Sequence, residues 1–217
     1  MTRLIIVRHG QSIANHHRLF AGHSDFDLTA LGHRQAELAA EYLLEREKID
    51  AIYASDLLRA YHTACHIGDA FGLPVIPDKD LREIYAGEWE SLPFDYIAKH
   101  YPEEMEIWRH DYAKSRPTSG ESTVEVYRRV VPHILSLAKK HDGQCILLGT
   151  HATVLRAFDC YAQGYSEKET GKISFYHNAS INIYTVEGDT VSIVENNIIE
   201  HMEKEGIATS LPKSITA

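Results

Sequence analysis

Short apolar runs alternate with longer amphipathic segments along this chain of 217 residues. Residues 4–7 and residues 145–149 are uninterrupted apolar runs, which are typical of strands buried in a parallel sheet. Residues 30–43 instead place apolar side chains at helical spacing, and so do residues 123–138. Because strands and helices alternate, the pattern predicts an α/β fold, a doubly wound and mainly parallel sheet with helices on both faces.

Polar residues and glycines mark the expected ends of the helices. Thr29 is placed to cap the helix that starts at the next residue. Ser55 or Asp56 is placed to cap a second helix, and Gly72, shortly before a proline, is placed to end it. These residues predict where the helices begin and end, and so where the strands that precede the candidate site residues lie.

The chain length suits one well-buried domain, which we assign to residues 1–200. Residues 93–117 change in character, with aromatic residues spaced through two short helical patterns that Pro102 separates, and we predict a lid-like insertion there. Residues 180–194 predict an antiparallel hairpin. Residues 201–217 mix charged residues with glycine and proline, and we expect a loosely held C-terminal tail.

The first apolar run ends abruptly at Arg8, His9 and Gly10. In open α/β sheets, ligands bind beyond the carboxyl ends of the strands, which is where these residues are expected. A guanidinium matches a phosphate or carboxylate through two parallel hydrogen bonds, and its fixed charge disfavours a metal cation nearby. A neutral imidazole beside a phosphate is a competent nucleophile. The three residues alone leave two readings open, an anion site and a solvated strand end.

A longer motif around these residues resembles a known family. Residues 8–12 are Arg-His-Gly-Gln-Ser and, with Asn15, resemble the Arg-His-Gly-x-Ser/Thr-x-x-Asn signature of the histidine phosphatase superfamily, the phosphoglycerate mutase-like proteins. The resemblance extends over residues 4–194. The signature histidine of that family becomes a phosphohistidine, and the resemblance therefore implies that His9 is the nucleophile.

Three further motifs are similar to the same family. Ser-Asp-Leu-Leu-Arg-Ala at residues 55–60 resembles the segment with the second phosphate-binding arginine, which implies this role for Arg59. Leu-Arg-Glu-x-x-x-Gly-x-Trp-Glu, from residue 81, resembles the phosphatase-branch segment whose first glutamate, here Glu83, is the proton donor. His151 follows the second buried strand and matches the second histidine of the family. By themselves, these residues could equally be a surface arginine, a solvated glutamate and a structural histidine.

The motifs together define a predicted site and mechanism. The predicted catalytic residues are Arg8, His9, Arg59, Glu83 and His151. The predicted substrate-binding residues are Gln11, Ser12, Asn15, Gly22, His23 and Ala152. His9 accepts the phosphoryl group, Glu83 protonates the departing oxygen, and water then releases phosphate. We expect no cofactor and no metal, because the arginines carry the charge that Mg²⁺ carries in other phosphoryl-transfer enzymes.

The function implied by the resemblance is a histidine acid-type phosphomonoesterase that acts on a small phosphorylated metabolite. The alternative is a cofactor-dependent mutase of the phosphoglycerate mutase type, which uses the same residues. A phosphate-ester binding protein without turnover is a third reading. Residues 82–90 look more like those of phosphatases, which favours hydrolysis.

Composition narrows the partners and the compartment. A net charge of -9 argues against a nucleic-acid partner and suits a small phosphorylated substrate and inorganic phosphate bound in a local cationic pocket. No apolar run approaches a membrane span, and residues 1–7 do not resemble a signal peptide. Cys65, Cys145 and Cys160 are expected to be free thiols in the cytoplasm. The oligomeric state is left open, a homodimer included.

Overall fold

The computed structural model describes residues 1–208, which are built around one six-stranded mixed sheet. The strands are β1 (Thr2–Arg8), β2 (Ala51–Ala54), β3 (Val75–Pro77), β4 (Cys145–Thr150), β5 (Ile181–Glu187) and β6 (Thr190–Ile198). Their order across the sheet is β3-β2-β4-β1-β5-β6. The first four strands in this order pair in parallel, whereas β5 and β6 are antiparallel. The predicted α/β sheet and its C-terminal hairpin are confirmed.

Helices cover both faces of the sheet. They are α1 (Ile13–His17), α2 (Ala30–Leu44), α3 (Leu58–Phe71), α4 (Phe94–His100), α5 (Pro102–His110), α6 (Thr123–Lys140), α7 (Ala152–Ala162) and α8 (Glu200–Glu203). Apolar residues of α2 and α3 share one core, and those of α6 and α7 share the other. None of the helices in residues 1–208 combines the length and the apolar character that a membrane span requires.

Alternation along β1 explains why two separate cores form. Leu4 and Ile6 belong to the core under α6 and α7, and Ile5 and Val7 belong to the core under α2 and α3. Successive side chains of a strand point to opposite faces, so an uninterrupted apolar run requires both faces to be covered. The apolar run at the start of the chain is therefore the central strand of the sheet.

The strand register brings the candidate chemistry to one edge of the sheet. Arg8, at the end of β1, lies opposite Thr150 at the end of β4. Ala54, at the end of β2, lies opposite Gly149 on the other side of β4. The residues that follow β1, β2 and β4 therefore emerge side by side, as is usual for ligand sites in parallel sheets.

Helix ends follow the expected capping pattern with one exception. The Thr29 hydroxyl accepts a hydrogen bond from the backbone of α2, and Gly72 ends α3 in the left-handed conformation. However, α3 starts at Leu58 and has no side-chain cap, so the prediction that Ser55 or Asp56 caps it is wrong. Both side chains have other partners, the imidazole of His151 and the guanidinium of Arg82, respectively.

Residues 93–117 fold as α4, α5 and a short 3-10 turn, and Pro102 begins α5. The two short helical patterns that the sequence predicts there are present. Ile97, Met105 and Trp108 are buried in the core that lies under α6 and α7. This segment is therefore held firmly against the domain at the position where it borders the candidate site.

The prediction of a loosely held tail from residue 201 is wrong for residues 201–208. His201 and Met202 are buried in α8, which packs on α2. The Gln35 amide donates to the carbonyl of Ile207, 3.0 Å away, which fixes the chain beyond the helix. The burial of Met202 and this partly buried hydrogen bond therefore hold the segment in place despite its polar composition. The rest of the predicted tail, residues 209–217, lies outside the described residues.

His201 is expected to make stability pH-dependent. Burial lowers the pKa of its imidazole from 6.5 to about 4, so the unfolded chain binds a proton more readily than the folded chain between these values. The free energy of unfolding should therefore decrease as the pH falls from 6.5 towards 4. Between about pH 7.5 and pH 5 the expected decrease is about 2 kcal/mol. The change His201→Gln removes this contribution. Urea unfolding should show that the gap in unfolding free energy between the wild type and His201→Gln narrows at pH 5, and a constant gap would contradict the account.

Candidate active site

A cavity of about 190 Å³ opens at the carboxyl edge of β1 and β4. The predicted catalytic residues Arg8, His9, Arg59 and Glu83 line it. They arrive from the end of β1, the first turn of α3 and the loop before α4, which are far apart in the sequence. The convergence predicted from the motifs is therefore present for these side chains.

His9 is buried at the base of the cavity, with 4% of its surface exposed. Its Nδ1 lies 2.7 Å from the carbonyl oxygen of Gly10. A carbonyl only accepts, so Nδ1 carries the hydrogen and Nε2 keeps a free lone pair. Burial, assisted by the positive charges of Arg59 and Arg8, holds the pKa of this imidazole well below its usual value. His9 is therefore neutral at pH 7, as a nucleophile must be.

The backbone around His9 is held rigidly. The N–H of Gly10 donates to the Thr63 hydroxyl at 3.0 Å, and the Asn178 amide donates to the His9 carbonyl at 3.0 Å. A Cβ on Gly10 would lie 2.4 Å from the backbone oxygen of Gly32, so only glycine fits this contact. Thr63 and Asn178 were not predicted from the sequence. Thr63 lies one helical turn after Arg59, which is the one feature that could have pointed to it.

Arg8 and Arg59 supply two buried positive charges. Arg59 donates to the carbonyl oxygens of Ser24 at 3.0 Å and Ala21 at 2.7 Å, which fixes the direction of its guanidinium. Arg8 donates to the carbonyl of Tyr176, while its Nε has no partner within residues 1–208. Burial lowers the pKa of each arginine to about 10, so both stay charged at pH 7. Two desolvated guanidiniums beside one another favour an anion between them.

His151 lies directly behind His9 and is fully buried. The two ring centroids are 5.2 Å apart in an edge-to-face arrangement. Nε2 of His151 lies 2.8 Å from the Ser55 hydroxyl, whereas its Nδ1 has no partner among the described residues. Burial, together with the positive charges of Arg59 and Arg8, keeps its pKa well below the usual value. An unpartnered polar atom beside the nucleophile fits a ligand oxygen.

Glu83 is held at the cavity wall by backbone N–H groups. Its Oε1 accepts from the N–H of Ile84 at 2.9 Å and from the N–H of Thr153 at 3.2 Å. Its side chain is largely buried, and its charge acts on both Arg8 and Arg59. A carboxyl group in this position can exchange a proton with an oxygen bound near the arginines.

One ion pair and one arginine bound to backbone carbonyls hold the segment that carries Glu83. Arg82 pairs with Asp56 through two contacts of 2.5 and 2.6 Å, which connects this segment to the loop before Arg59. Arg129, on α6, donates to the carbonyl oxygens of Asp80 at 2.7 Å and Arg82 at 3.1 Å. The carboxyl group and the second arginine of the site are therefore positioned as one unit.

Breaking the pair of Arg82 and Asp56 should impair turnover without touching substrate. We expect Arg82→Asp and Asp56→Arg each to lower kcat by about 10-fold, because a small displacement of a reacting group is costly. Combining the two changes re-creates an ion pair and should restore most of kcat. Steady-state kinetics with melting curves as a folding control test this, and a double variant no better than the single variants would contradict it.

The predicted substrate-binding residues divide into two groups. Those that line the cavity are Gln11, Ser12, Asn15 and Ala152. Gly22 and His23 are not among its lining residues, and their contact with substrate stays a prediction. The carbonyl of Gly22 accepts from Arg59 at 2.8 Å, and Nε2 of His23 lies 3.0 Å from the carbonyl oxygen of Glu83. Through these contacts, both residues help to hold Arg59 and Glu83 in the wall of the cavity.

Part of the cavity lining is apolar. Its larger apolar residues are Leu19, Phe20, Ile84, Phe94, Trp108 and Phe175. Among residues 1–208, Arg18 is the one arginine or lysine in the lining besides Arg8 and Arg59. Phe94 and Trp108 come from the segment predicted as a lid, whereas Phe175 was not predicted. The cavity therefore combines cationic and apolar walls.

A doubly wound α/β sheet and a neutral histidine close to two arginines are typical of proteins that bind a phosphate ester. Comparison with known families agrees with this class. Residues 4–199 match the model of the histidine phosphatase superfamily (branch 1), and the chain belongs to that superfamily.

Individual relatives include phosphatases and a mutase. The chain is 33% identical to phosphoserine phosphatase 1 of Hydrogenobacter thermophilus, over 93% of this chain and 95% of the relative. It is 35% identical to a 2,3-bisphosphoglycerate-dependent phosphoglycerate mutase of Mesorhizobium japonicum, over 91% and 98%. A mycobacterial glucosyl-3-phosphoglycerate phosphatase solved with VO3 has a TM-score of 0.84 at 30% identity, with 91% and 99% covered. The family and its phosphatase members support phosphatase activity.

Proposed function

We propose that this chain is a metal-independent phosphomonoesterase of the histidine acid-type, which hydrolyses a small phosphorylated metabolite through a phosphohistidine on His9. The observation that carries the proposal is the hydrogen bond from Nδ1 of His9 to the carbonyl of Gly10. It leaves Nε2 with a free lone pair in a cavity that two buried guanidiniums line.

In the first step, Nε2 of His9 attacks phosphorus in line with the ester oxygen. The N–P bond forms while the P–O bond to the organic group breaks. Glu83, as a carboxylic acid, gives its proton to the departing oxygen, which leaves as an alcohol. The products of this step are the alcohol, the phosphohistidine and the carboxylate of Glu83.

In the second step, water attacks the phosphohistidine. The carboxylate of Glu83 takes a proton from the water as its oxygen bonds to phosphorus and the N–P bond breaks. Inorganic phosphate leaves, Nε2 regains its lone pair, and Glu83 is again protonated. The enzyme is thereby returned to its starting state.

The charge on the transferred group is held by the protein itself. Arg8 and Arg59 line the cavity and bring positive charge to the oxygens of phosphorus. His151 lies next to His9 but is not among the lining residues, and its unpartnered Nδ1 is proposed to reach another oxygen. Asn15 lies in the same lining and is a further polar group for the phosphate. Because these groups carry the charge, the proposed reaction needs no metal or other cofactor.

Two features support a substrate with one phosphate and a mainly apolar organic part. The lining includes side chains such as Phe20, Phe94 and Trp108, which favour apolar surface. A mutase must also hold a carboxylate and a second phosphate, and beyond the catalytic arginines the lining offers Arg18 alone. Phosphoryl transfer between two hydroxyls is the second candidate function, because one relative of the chain is a mutase.

The proposal extends to the cellular setting. Cys65, Cys145 and Cys160 are unpaired thiols, which supports a reducing, cytoplasmic location. The expected partners are the phosphorylated substrate and inorganic phosphate, with no nucleic acid, because the chain has a net charge of -9. Fractionation of the native source organism tests the location.

Two parallel assays separate the candidate functions. The protein is incubated with p-nitrophenyl phosphate and, separately, with 3-phosphoglycerate plus 2,3-bisphosphoglycerate, each with and without EDTA. Phosphate release without isomerisation, unchanged by EDTA, is the expected result. Isomerisation faster than phosphate release would favour the mutase, and no turnover of either would favour a binding protein. A panel of phosphorylated metabolites then identifies the organic group.

A further inference from the structure

Three histidines gather between α2 and α3, outside the cavity of the candidate active site. His62 and His66 are one turn apart on α3, and His33 comes from α2. All three are half-buried, so their ring nitrogens lie near the surface. None of them lines the cavity or has a part in the proposed reaction.

Two of these rings face each other closely. Nδ1 of His33 lies 3.0 Å from Nε2 of His66. Zinc binds imidazole nitrogen at about 2.0–2.1 Å, which places two nitrogens of a tetrahedral site about 3.3 Å apart. The observed distance is therefore within a small side-chain movement of that spacing. The same distance also fits a single N–H···N hydrogen bond, and titration with Zn²⁺ distinguishes a metal site from this hydrogen bond.

The third histidine has a carboxylate partner and must rotate to reach the other two rings. Nδ1 of His62 lies 2.7 Å from a carboxylate oxygen of Asp27, which leaves Nε2 of this ring with the lone pair whenever the ring is neutral. The ring of His62 stacks against that of His33 with centroids 6.3 Å apart. A carboxylate that receives the other ring N–H is the usual support of a histidine that binds metal.

The local electrostatics suit a cation. The ring of His66 packs edge-to-face against that of His33, with centroids 5.3 Å apart. The carboxylates of Glu37 and Asp69 are close enough to act on the same ring. A divalent ion at this position would be balanced by negative charge that is already present.

We propose that His33 and His66, with His62 as the third ligand after a rotation of its side chain, bind a divalent transition-metal ion of the Zn²⁺ class. Imidazole nitrogen is the ligand type that zinc, nickel and copper share. The ligands come from two helices that pack against each other along the sheet. The site is separate from the phosphoryl chemistry, which requires no metal.

A second cluster, formed by His133, Asp78 and Asp80, is a contrasting case. The two ring nitrogens of His133 face carboxylates at 2.7 and 3.7 Å. The hydrogen bond to Asp78 raises the pKa of this ring, which favours the imidazolium. A metal would have to displace this proton, so the cluster favours an ion pair that holds the loop against α6. His133 therefore provides a matched control.

Calorimetric titration of untagged, EDTA-treated protein with Zn²⁺ tests the proposal. The wild type should bind one ion, and His66→Gln and His33→Gln should each weaken binding by more than about 10-fold. His133→Gln should bind as the wild type does. Circular dichroism confirms that each variant is folded, and the visible spectrum of bound Co²⁺ reports nitrogen coordination. No Zn²⁺ binding, or loss in His133→Gln with retention in His66→Gln, would overturn the proposal.

Discussion

Replacing His9 with alanine is expected to lower kcat by at least about 10⁴-fold, because the change removes the atom that forms the covalent bond to phosphorus. Phosphate affinity should persist, since Arg8 and Arg59 remain. The measurement is phosphate release under saturating substrate, combined with phosphate binding by calorimetry. Retained binding with lost turnover would separate the role of the nucleophile from that of the arginines.

A second histidine variant tests whether the loss of turnover is specific to His9. His16, exposed on α1, is not among the residues that line the cavity, so His16→Ala should turn over as the wild type does. Urea unfolding shows whether His9→Ala still folds, which matters because His9 is buried. Substantial hydrolysis by a folded His9→Ala variant would remove this residue from the role of nucleophile.

Replacing Glu83 with glutamine is expected to act selectively on poor leaving groups. An alkyl phosphate needs a proton on its departing oxygen, so kcat/KM should fall by about 10²–10⁴-fold. A p-nitrophenyl ester leaves readily without that proton, so its kcat/KM should change little. We use kcat/KM because it reports the transfer to His9 and is independent of the later hydrolysis, in which Glu83 also takes part.

Glu88 provides the control for this second prediction. It lies in the same stretch of sequence but is exposed, and it accepts hydrogen bonds from Tyr101 and Ser119. Glu88→Gln should leave kcat/KM unchanged for all esters. Equal losses on alkyl and aryl esters in Glu83→Gln would show that Glu83 positions the substrate but does not donate a proton.

Much of the fold and of the central site was predictable because it depends on short-range patterns. The apolar runs that become β1 and β4 each end in a histidine, and parallel strands bring such ends to one edge. Arg59 was identified by a motif at the start of a helix. The strand pattern and the helix-start motif are both local in the sequence, so they can be recognised without knowledge of the packing.

Other parts of the site were not predictable because they depend on long-range packing. Asn178 reaches the carbonyl of His9 from a loop before β5, and nothing in its own sequence context indicates this contact. The contacts of Gly22 with Arg59 and of His23 with the carbonyl of Glu83 were not predicted either, since the direction of a loop is set by its partners. The C-terminal segment is anchored through Met202, a single apolar residue in a polar stretch.

The central claim is that phosphorus becomes bonded to His9 during turnover. Wild-type and Glu83→Gln protein are mixed with an aryl phosphate, stopped in alkali, where phosphohistidine survives, and mapped by peptide mass spectrometry. The account predicts a phosphoryl group on the peptide that contains His9, in greater amount in Glu83→Gln, where hydrolysis of the intermediate is slowed. Rapid turnover with no phosphoryl group on this peptide, or with one on another residue, would contradict it.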